Sequence, residues 1–348
     1  MLFRSIHAAK IDADLCADGW FDTTMPDLNQ SNSLVLNYLT QNAIWLIENF
    51  NIDGFRVDTY SYNDKEAISK WAKSITDEYP NFNIVGEVWM HNQVQMAYWQ
   101  KNSKIGAIQN FNSQLPSVMD FTLLDAFGTV FNEDKPNWDN GLVKLYNNFA
   151  NDFVYPNPNN LMTFVENHDT MRFNELYAND FKKYQMAMTI LATARGIPQL
   201  YYGSEIGMAG DKNKKGDADI RKDFPGGWLG DANNAFTNEG RTPEQQKFFN
   251  FTSQLFTWRK TCETVHFGKM KHYIPENNVY VYFRYTNQKS VMVVLNNSLE
   301  TQKTDTKRFK ESILKYKFGT DVLTKKRVDL SDSIEIESKS VLILELSE

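Results

Sequence analysis

Three apolar runs in this sequence each lead into a carboxylate. Gly54-Phe55-Arg56-Val57-Asp58 is the first, and Asn83-Ile84-Val85-Gly86-Glu87 is the second. The third is Leu161 to Val165, which leads into Glu166-Asn167-His168-Asp169. In a β-strand, residues i and i+2 point to the same face. Arg56 and Asp58 therefore share a face, and an adjacent guanidinium favours the ionised carboxylate. A carboxylate held ionised at a strand end has the character of a nucleophile. Taken alone, the commoner use of such a pair is structural. The other two carboxylate-ended runs downstream reverse that reading.

Glu87 stands in a different setting. Ile84, Val85 and Gly86 precede it and Val88 and Trp89 come after it. An apolar wall raises a carboxyl pKa, which is what a general acid needs near neutrality. Two carboxylates whose surroundings push their pKa values apart divide into acid and nucleophile. Glu87 lies 29 residues beyond Asp58. That is one strand–helix repeat of a parallel α/β fold, so the two sit on neighbouring strands. Carboxylates about 5–5.5 Å apart suit a retaining glycosidase.

The elements that must hold these groups can be read from periodicity. A helix begins near Ser31 or Asn32, with Leu36, Leu39, Ala43, Leu46, Ile47 and Phe50 at helical spacing. Asp64 caps a second, whose apolar face is Ala67, Ile68, Trp71 and Ile75. Helical pieces are expected near 92–100, 121–131, 139–150 and 180–195, with a strand at 117–121 and another at 196–203. Residues 1–30 read as irregular loop and 204–241 as a long loop of the kind that is usually functional or disordered. Thr242-Pro243-Glu244-Gln245 is a capping box that opens a helix to about Cys262. From about 265 the period falls to 2, with strands at 279–285, 290–295, 334–337 and 341–346. The expected organisation is loop over 1–30, part of an α/β barrel over 31–264, and an antiparallel β-domain over 265–348.

Composition narrows the classes of function. The chain has 348 residues, enough for a large domain and a smaller one, and a net charge of −6. The acidic balance and the lack of a basic cluster argue against nucleic acid. No run of eighteen apolar residues suggests a membrane-crossing helix. Cys16 and Cys262 are the only cysteines, and they imply neither a disulfide framework nor a zinc site. The opening MLFRSIHAAKID has no apolar stretch of a secretory leader. Aromatic residues make up 14 %, which is compatible with sugar stacking although most rings serve a core.

Taken in order, GFRVD, IVGEVW and FVENHD resemble the second, third and fourth signature regions of the α-amylase superfamily of glycoside hydrolases. MPDLN at 25–29 is similar to an extra region near the end of that superfamily's inserted B domain. GWFDTTMPDLN and DFPGGW point toward the neopullulanase/cyclomaltodextrinase branch, as in Bacteroides-type starch-utilisation systems. The resemblance implies strands 4 to 8 of a (β/α)8 barrel followed by an antiparallel β-sandwich. It implies Asp58 as nucleophile, Glu87 as general acid/base and Asp169 as the carboxylate that grips sugar hydroxyls. Arg56 matches the invariant arginine of the second region, and His168 a hydrogen-bond donor to the transition state. The implied substrate is an α-glucan such as a maltooligosaccharide, cyclodextrin, pullulan or starch. No cofactor is required, and a periplasmic location and a homo-oligomer are compatible with the resemblance.

Two departures stand out. Thr59-Tyr60-Ser61-Tyr62 replaces both the Lys-His and the Asn-Glu pairs that come after the nucleophile in the two branches, so acceptor-side specificity is not transferable. The first signature region and the strands before it are absent, which reads as an N-terminally truncated chain.

Several side chains carry competing readings. Tyr60, Tyr62, Trp89, Phe173 and Trp228 could stack on sugar faces, with core packing the safer expectation for each ring alone. His91 could line the site or sit on a solvated loop. Asp211, Asp217, Asp219 and Asp223 could hold calcium, but interspersed lysines favour a solvated loop. A metal-dependent hydrolase using Glu166, His168 and Asp169 lacks a second ligand cluster. A catalytically silent carbohydrate-binding or scaffold protein is the alternative from another class, and the three carboxylates count against it.

Overall fold

The computed structural model describes residues 9–348. The first eight residues of the expected 1–30 loop, and the N-terminal reading that rests on them, lie outside that range. Two compact units are distinguished. One takes the chain up to Thr122 together with Asn151–Met162, and the other takes Leu123–Ala150 together with Thr163–Glu348.

The first unit is built around parallel strands β1 (Gly54–Val57), β2 (Asn83–Gly86) and β3 (Ser117–Met119). Asn32 starts the helix Ser33–Phe50, its side chain accepting from the Leu34 amide at 2.9 Å. Asn51 ends it in the left-handed conformation at φ 50°. The chain then enters β1, where the Phe55 ring packs edge-on against Phe82 at 4.9 Å. Asp64 caps the helix Lys65–Glu78 through a 2.7 Å bond from the Ala67 amide. Ala67, Ile68, Ala72 and Ile75 bury one face of this helix, and Trp71 Nε1 donates to the Leu39 carbonyl at 3.3 Å. That is the amphipathic pattern expected from the sequence. β2 pairs in parallel with β1 on one side and with β3 on the other. Ile84, Val118 and Leu161 are fully buried, as in a parallel sheet covered on both faces.

β4 (Leu161–Thr163) pairs with β3, and β5 is the two-residue strand Ile197–Pro198. The parallel strands run in the order β1-β2-β3-β4-β5. The fold is therefore α/β, a run of parallel strands alternating with helices, followed by an antiparallel β-domain. The strand expected over 196–203 shrinks to Ile197–Pro198. Beyond it the Gln199 amide still reaches across, to the Thr163 carbonyl at 2.8 Å.

In the second unit, the helix Phe181–Thr193 is buried almost all round from Tyr184 onward. The capping box is present as read: Thr242 and Gln245 exchange side-chain bonds with each other's amides, and Pro243 takes the first position of the helix Pro243–Thr261. Beyond this helix lies an antiparallel sheet of six strands. They are β6 (Lys269–Glu276), β7 (Val279–Tyr285), β8 (Ser290–Asn296), β10 (Phe318–Asp321), β11 (Arg327–Asp329) and β13 (Ser340–Ser347). Their order across the sheet is β11-β10-β13-β8-β7-β6. One face packs on the helices: Tyr184, Leu191, Phe248 and Leu255 share a core with Tyr280, Tyr282, Val293 and Ile343. The other face meets Phe309, Ile313, Leu330, Ile334 and Ile336. Phe309 and Ile313 come from helical turns, Leu330 from the connection after β11, and Ile334 and Ile336 from a ribbon of β9 (Gln302–Asp305) with β12 (Ser333–Ile336). With both faces covered, every residue of β8 is buried.

Several elements differ from expectation. Lys10–Asp18 is helical, not irregular. Its apolar residues Ile11 and Leu15 are exposed and leave no readable stripe. The helix expected at 121–131 ends at Phe127, and that at 139–150 starts at Val143. The segment 204–241 contains helical turns at Ser204–Ile206, Lys212–Lys215 and Asp217–Ile220. β9 and β11 escape a period-2 reading because their outward residues are charged and the strands are only four and three residues long.

Candidate active site

The β1–β2 register sets the first cluster. Gly54 faces Asn83 and Val57 faces Gly86, so Asp58 and Glu87 come next at the same level on adjacent strands. The Glu87 amide continues the ladder by donating to the Val57 carbonyl at 2.9 Å. Gly86 is required at its position. A Cβ there would lie 2.6 Å from Leu115 Cδ2 and 2.9 Å from Tyr60 Cγ. The missing side chain lets the Tyr60 ring lie against β2.

One guanidinium spans both carboxylates. Arg56 Nη1 lies 2.5 Å from Asp58 Oδ1, and Arg56 Nη2 lies 2.7 Å from Glu87 Oε1. The sequence assigned Arg56 to Asp58 alone. The second oxygen of Glu87 accepts from the Thr59 amide at 2.9 Å. Thr59 adopts the left-handed conformation at φ 44°, which turns the chain sharply after Asp58.

The two carboxylates differ in environment. Glu87 is 5 % exposed, whereas more than half of the Asp58 side chain is open to solvent. Burial pushes the Glu87 carboxyl above the usual range, and the Asp58 charge adds to that effect. The Thr59 amide and Arg56 act in the opposite direction but do not overcome desolvation. A buried carboxyl with a raised pKa beside an exposed carboxylate is the pairing that separates acid from nucleophile.

The second cluster belongs to the second unit. Asp169 is gripped on both oxygens: His168 Nε2 lies 3.0 Å from Oδ2 and Arg221 Nη2 lies 2.8 Å from Oδ1. Arg221 Nε also donates to the His168 carbonyl at 2.8 Å, and Lys212 Nζ donates to the Asp169 carbonyl at 2.7 Å. Arg172, which stands three residues after Asp169, does not serve it. It is fully buried and pairs instead with Glu166, Nη1 to Oε1 at 3.2 Å. Glu166 accepts further from the Phe173 amide and the Ser204 hydroxyl. Glu166 is thereby committed to the interior, which removes it from the metal-site reading of Glu166, His168 and Asp169.

Among the described residues, no group of three or more His, Cys, Asp or Glu is arranged to hold a metal. The acidic run in the long segment is paired with cations. Asp211 meets Lys214 at 3.0 Å, Asp217 meets Lys212 at 3.1 Å, and Asp219 meets Lys222 at 2.7 Å. These pairs hold all three carboxyls below the ordinary range.

The candidate stacking rings divide. Tyr60 and Phe173 are core residues and offer no face to a sugar, which corrects their expected role. Tyr60 is fully buried edge-on to Trp99 at 5.9 Å, and burial pushes its phenol up. Phe173 packs against Tyr177 at 4.6 Å. Trp89 is half-buried and stacked on Phe121 at 4.7 Å, leaving one ring face to consider. Tyr62 stands edge-on to Phe21 at 5.0 Å, and Trp228 and His91 are exposed.

Two participants in the Asp169 cluster escaped the sequence. Arg221 and Lys212 lie more than forty residues from Asp169 in a segment with no regular pattern. Asp120, which comes directly after β3, is fully buried and accepts from the Thr122 hydroxyl at 3.0 Å.

Known proteins share both the sequence and the fold. Residues 270–345 match the cyclo-malto-dextrinase C-terminal domain. The chain is 27 % identical over 277 residues to a cyclomaltodextrin glucanotransferase of Niallia circulans, covering 80 % of this chain and 34 % of that protein. It is 27 % identical over 279 residues to a cyclomaltodextrinase of Thermoanaerobacter pseudethanolicus, covering 79 % and 42 %. The chain thus spans well under half the length of these curated relatives. In structure it is similar to the α-amylase from Geobacillus thermoleovorans, with a TM-score of 0.75 and 25 % identity over 94 % of this chain and 67 % of that one.

Proposed function

The chain belongs to the α-amylase superfamily, and from that membership we propose that it takes part in the cleavage of α-glucosidic bonds in α-glucans by a retaining double displacement. Asp58 is the nucleophile that forms a covalent glycosyl intermediate. Glu87 protonates the leaving oxygen and then activates water. Asp169 and His168 hold sugar hydroxyls as the ring distorts. Maltooligosaccharides, cyclodextrins, pullulan and starch are the substrate class.

One observation carries this reading. A buried Glu87 and an exposed Asp58 stand level on adjacent parallel strands, spanned by a single arginine. Desolvation keeps Glu87 able to hold a proton at a pH where ordinary carboxyls have lost theirs. The open Asp58 remains accessible to a reacting carbon.

The test is hydrolysis of maltotriose, a cyclodextrin and pullulan by the 348-residue chain, with the anomeric form of the product followed by NMR. The expected product is the α-anomer. Asp58→Asn and Glu87→Gln should each lower the rate by about 10²–10⁴-fold. Failure to release sugar from any of the three, a β-anomeric product, or full rates in both variants would overturn the proposal.

A further inference from the structure

Arg221 meets two consecutive residues with different nitrogens. Nε donates to the His168 carbonyl at 2.8 Å, and Nη2 meets Asp169 Oδ1 at 2.8 Å. The same Nη2 reaches Asp217 Oδ2 at 3.0 Å. Asp217 also holds Lys212, which donates to the Asp169 carbonyl. Two cations linked through one carboxylate therefore fix the backbone and the side chain of Asp169.

The backbone on each side of Arg221 is pinned from below. Buried Arg172 donates from Nε to the Ile220 carbonyl at 3.0 Å. The Tyr202 hydroxyl donates to the Lys222 carbonyl at 2.6 Å. Arg172 is itself held by Glu166 and by the Tyr202 carbonyl at 2.7 Å, and its guanidinium lies over the Tyr201 ring at 4.0 Å. The interior pair thus carries the peptide that presents Arg221. A carboxylate offers about four acceptor positions. Arg221 and His168 occupy one on each oxygen of Asp169, so both oxygens retain a free position for a sugar hydroxyl.

We propose that Arg221 is a positioning residue: it aims the Asp169 carboxylate, and the buried Glu166–Arg172 pair aims Arg221. This rests on the reading of Asp169 as a sugar-holding group. The planar fork is needed because it reads a carbonyl and a carboxylate together, which a lysine point charge does not do.

Two measurements test it. In a double-mutant cycle on maltooligosaccharide hydrolysis, Arg221→Met should lower kcat by about 100-fold with KM within about threefold. It should add little once Asp169 is already Asn. Arg221→Lys, which keeps the charge, should remain at least about tenfold below wild type. Independent, multiplicative effects of the two single changes would overturn the proposal. The second measurement needs no activity. The Arg221 side-chain Nε–H signal, assigned by its loss in Arg221→Lys, should exchange with water about tenfold faster in Asp169→Asn at unchanged Tm. An unchanged exchange rate would overturn the proposal even if Asp169→Asn abolishes activity. A fully active Asp169→Asn with accelerated exchange would sink the functional reading of Asp169 and leave the contact standing.

Discussion

Arg56 Nη2 lies 2.7 Å from Glu87 Oε1, so the arginine that spacing assigns to Asp58 serves the buried carboxyl as well. The bond crosses from β1 to β2 and is possible because Arg56 and Val85 face each other in the register. Glu87 is thereby balanced between desolvation, which raises its pKa, and a cation that lowers it. Burial is the larger influence.

Removing the cation shifts that balance. In Arg56→Met, Glu87 loses an opposing charge while its burial and the Asp58 charge remain. Its pKa should rise further, and the basic limb of the kcat/KM profile should move to higher pH. The rate at the optimum should fall by about 100-fold as both carboxylates lose their common anchor. A pH–rate profile of the variant checks the shift; a basic limb that moves to lower pH would contradict it.

Glu87 also links proton binding to stability. Its folded pKa is raised, so its contribution is fully present below the ordinary glutamic acid value of about 4.3 and is lost as pH rises through the folded value. Glu87→Gln removes that dependence. The stability of wild type relative to Glu87→Gln should therefore decline from pH 4 to pH 7, by about 1.4 kcal/mol for each unit by which the pKa is raised. Urea unfolding at the two pH values measures it, and a difference that grows with pH would be the wrong sign.

The Glu166–Arg172 pair is fully buried on both sides, and Phe173, Ser204, Ile220 and Tyr202 supply further bonds to it, while Arg172 Nη2 has no hydrogen-bond partner among the described residues. Glu166→Gln or Arg172→Met alone leaves one buried partner uncompensated, and each should destabilise by about 3–5 kcal/mol. The double variant should cost less than the sum of the two. Denaturant midpoints of the three variants test this, and additivity would show that the groups are not coupled.

The sequence by itself determined much of this molecule. Asn32, Asp64 and Thr242 mark three helix starts because each cap answers an unpaired amide one turn ahead, a local requirement. The offset of 29 residues between Asp58 and Glu87 is also the offset of the β1–β2 pairing, so one repeat placed both at one level. That β1 and β2 lead directly into Asp58 and Glu87 was plain from the apolar runs alone. Tertiary structure decided what those residues touch. Only packing showed that Gly86 makes room for Tyr60, which places a candidate sugar platform in the core. Only the folded path of 204–222 brought Arg221 and Lys212 to Asp169, and only burial turned Arg172 toward Glu166. Periodicity reports the faces of single elements. Ion pairs between residues forty or fifty positions apart depend on where loops come to rest, and their backbones are fixed by bonds that leave no repeating mark in the sequence.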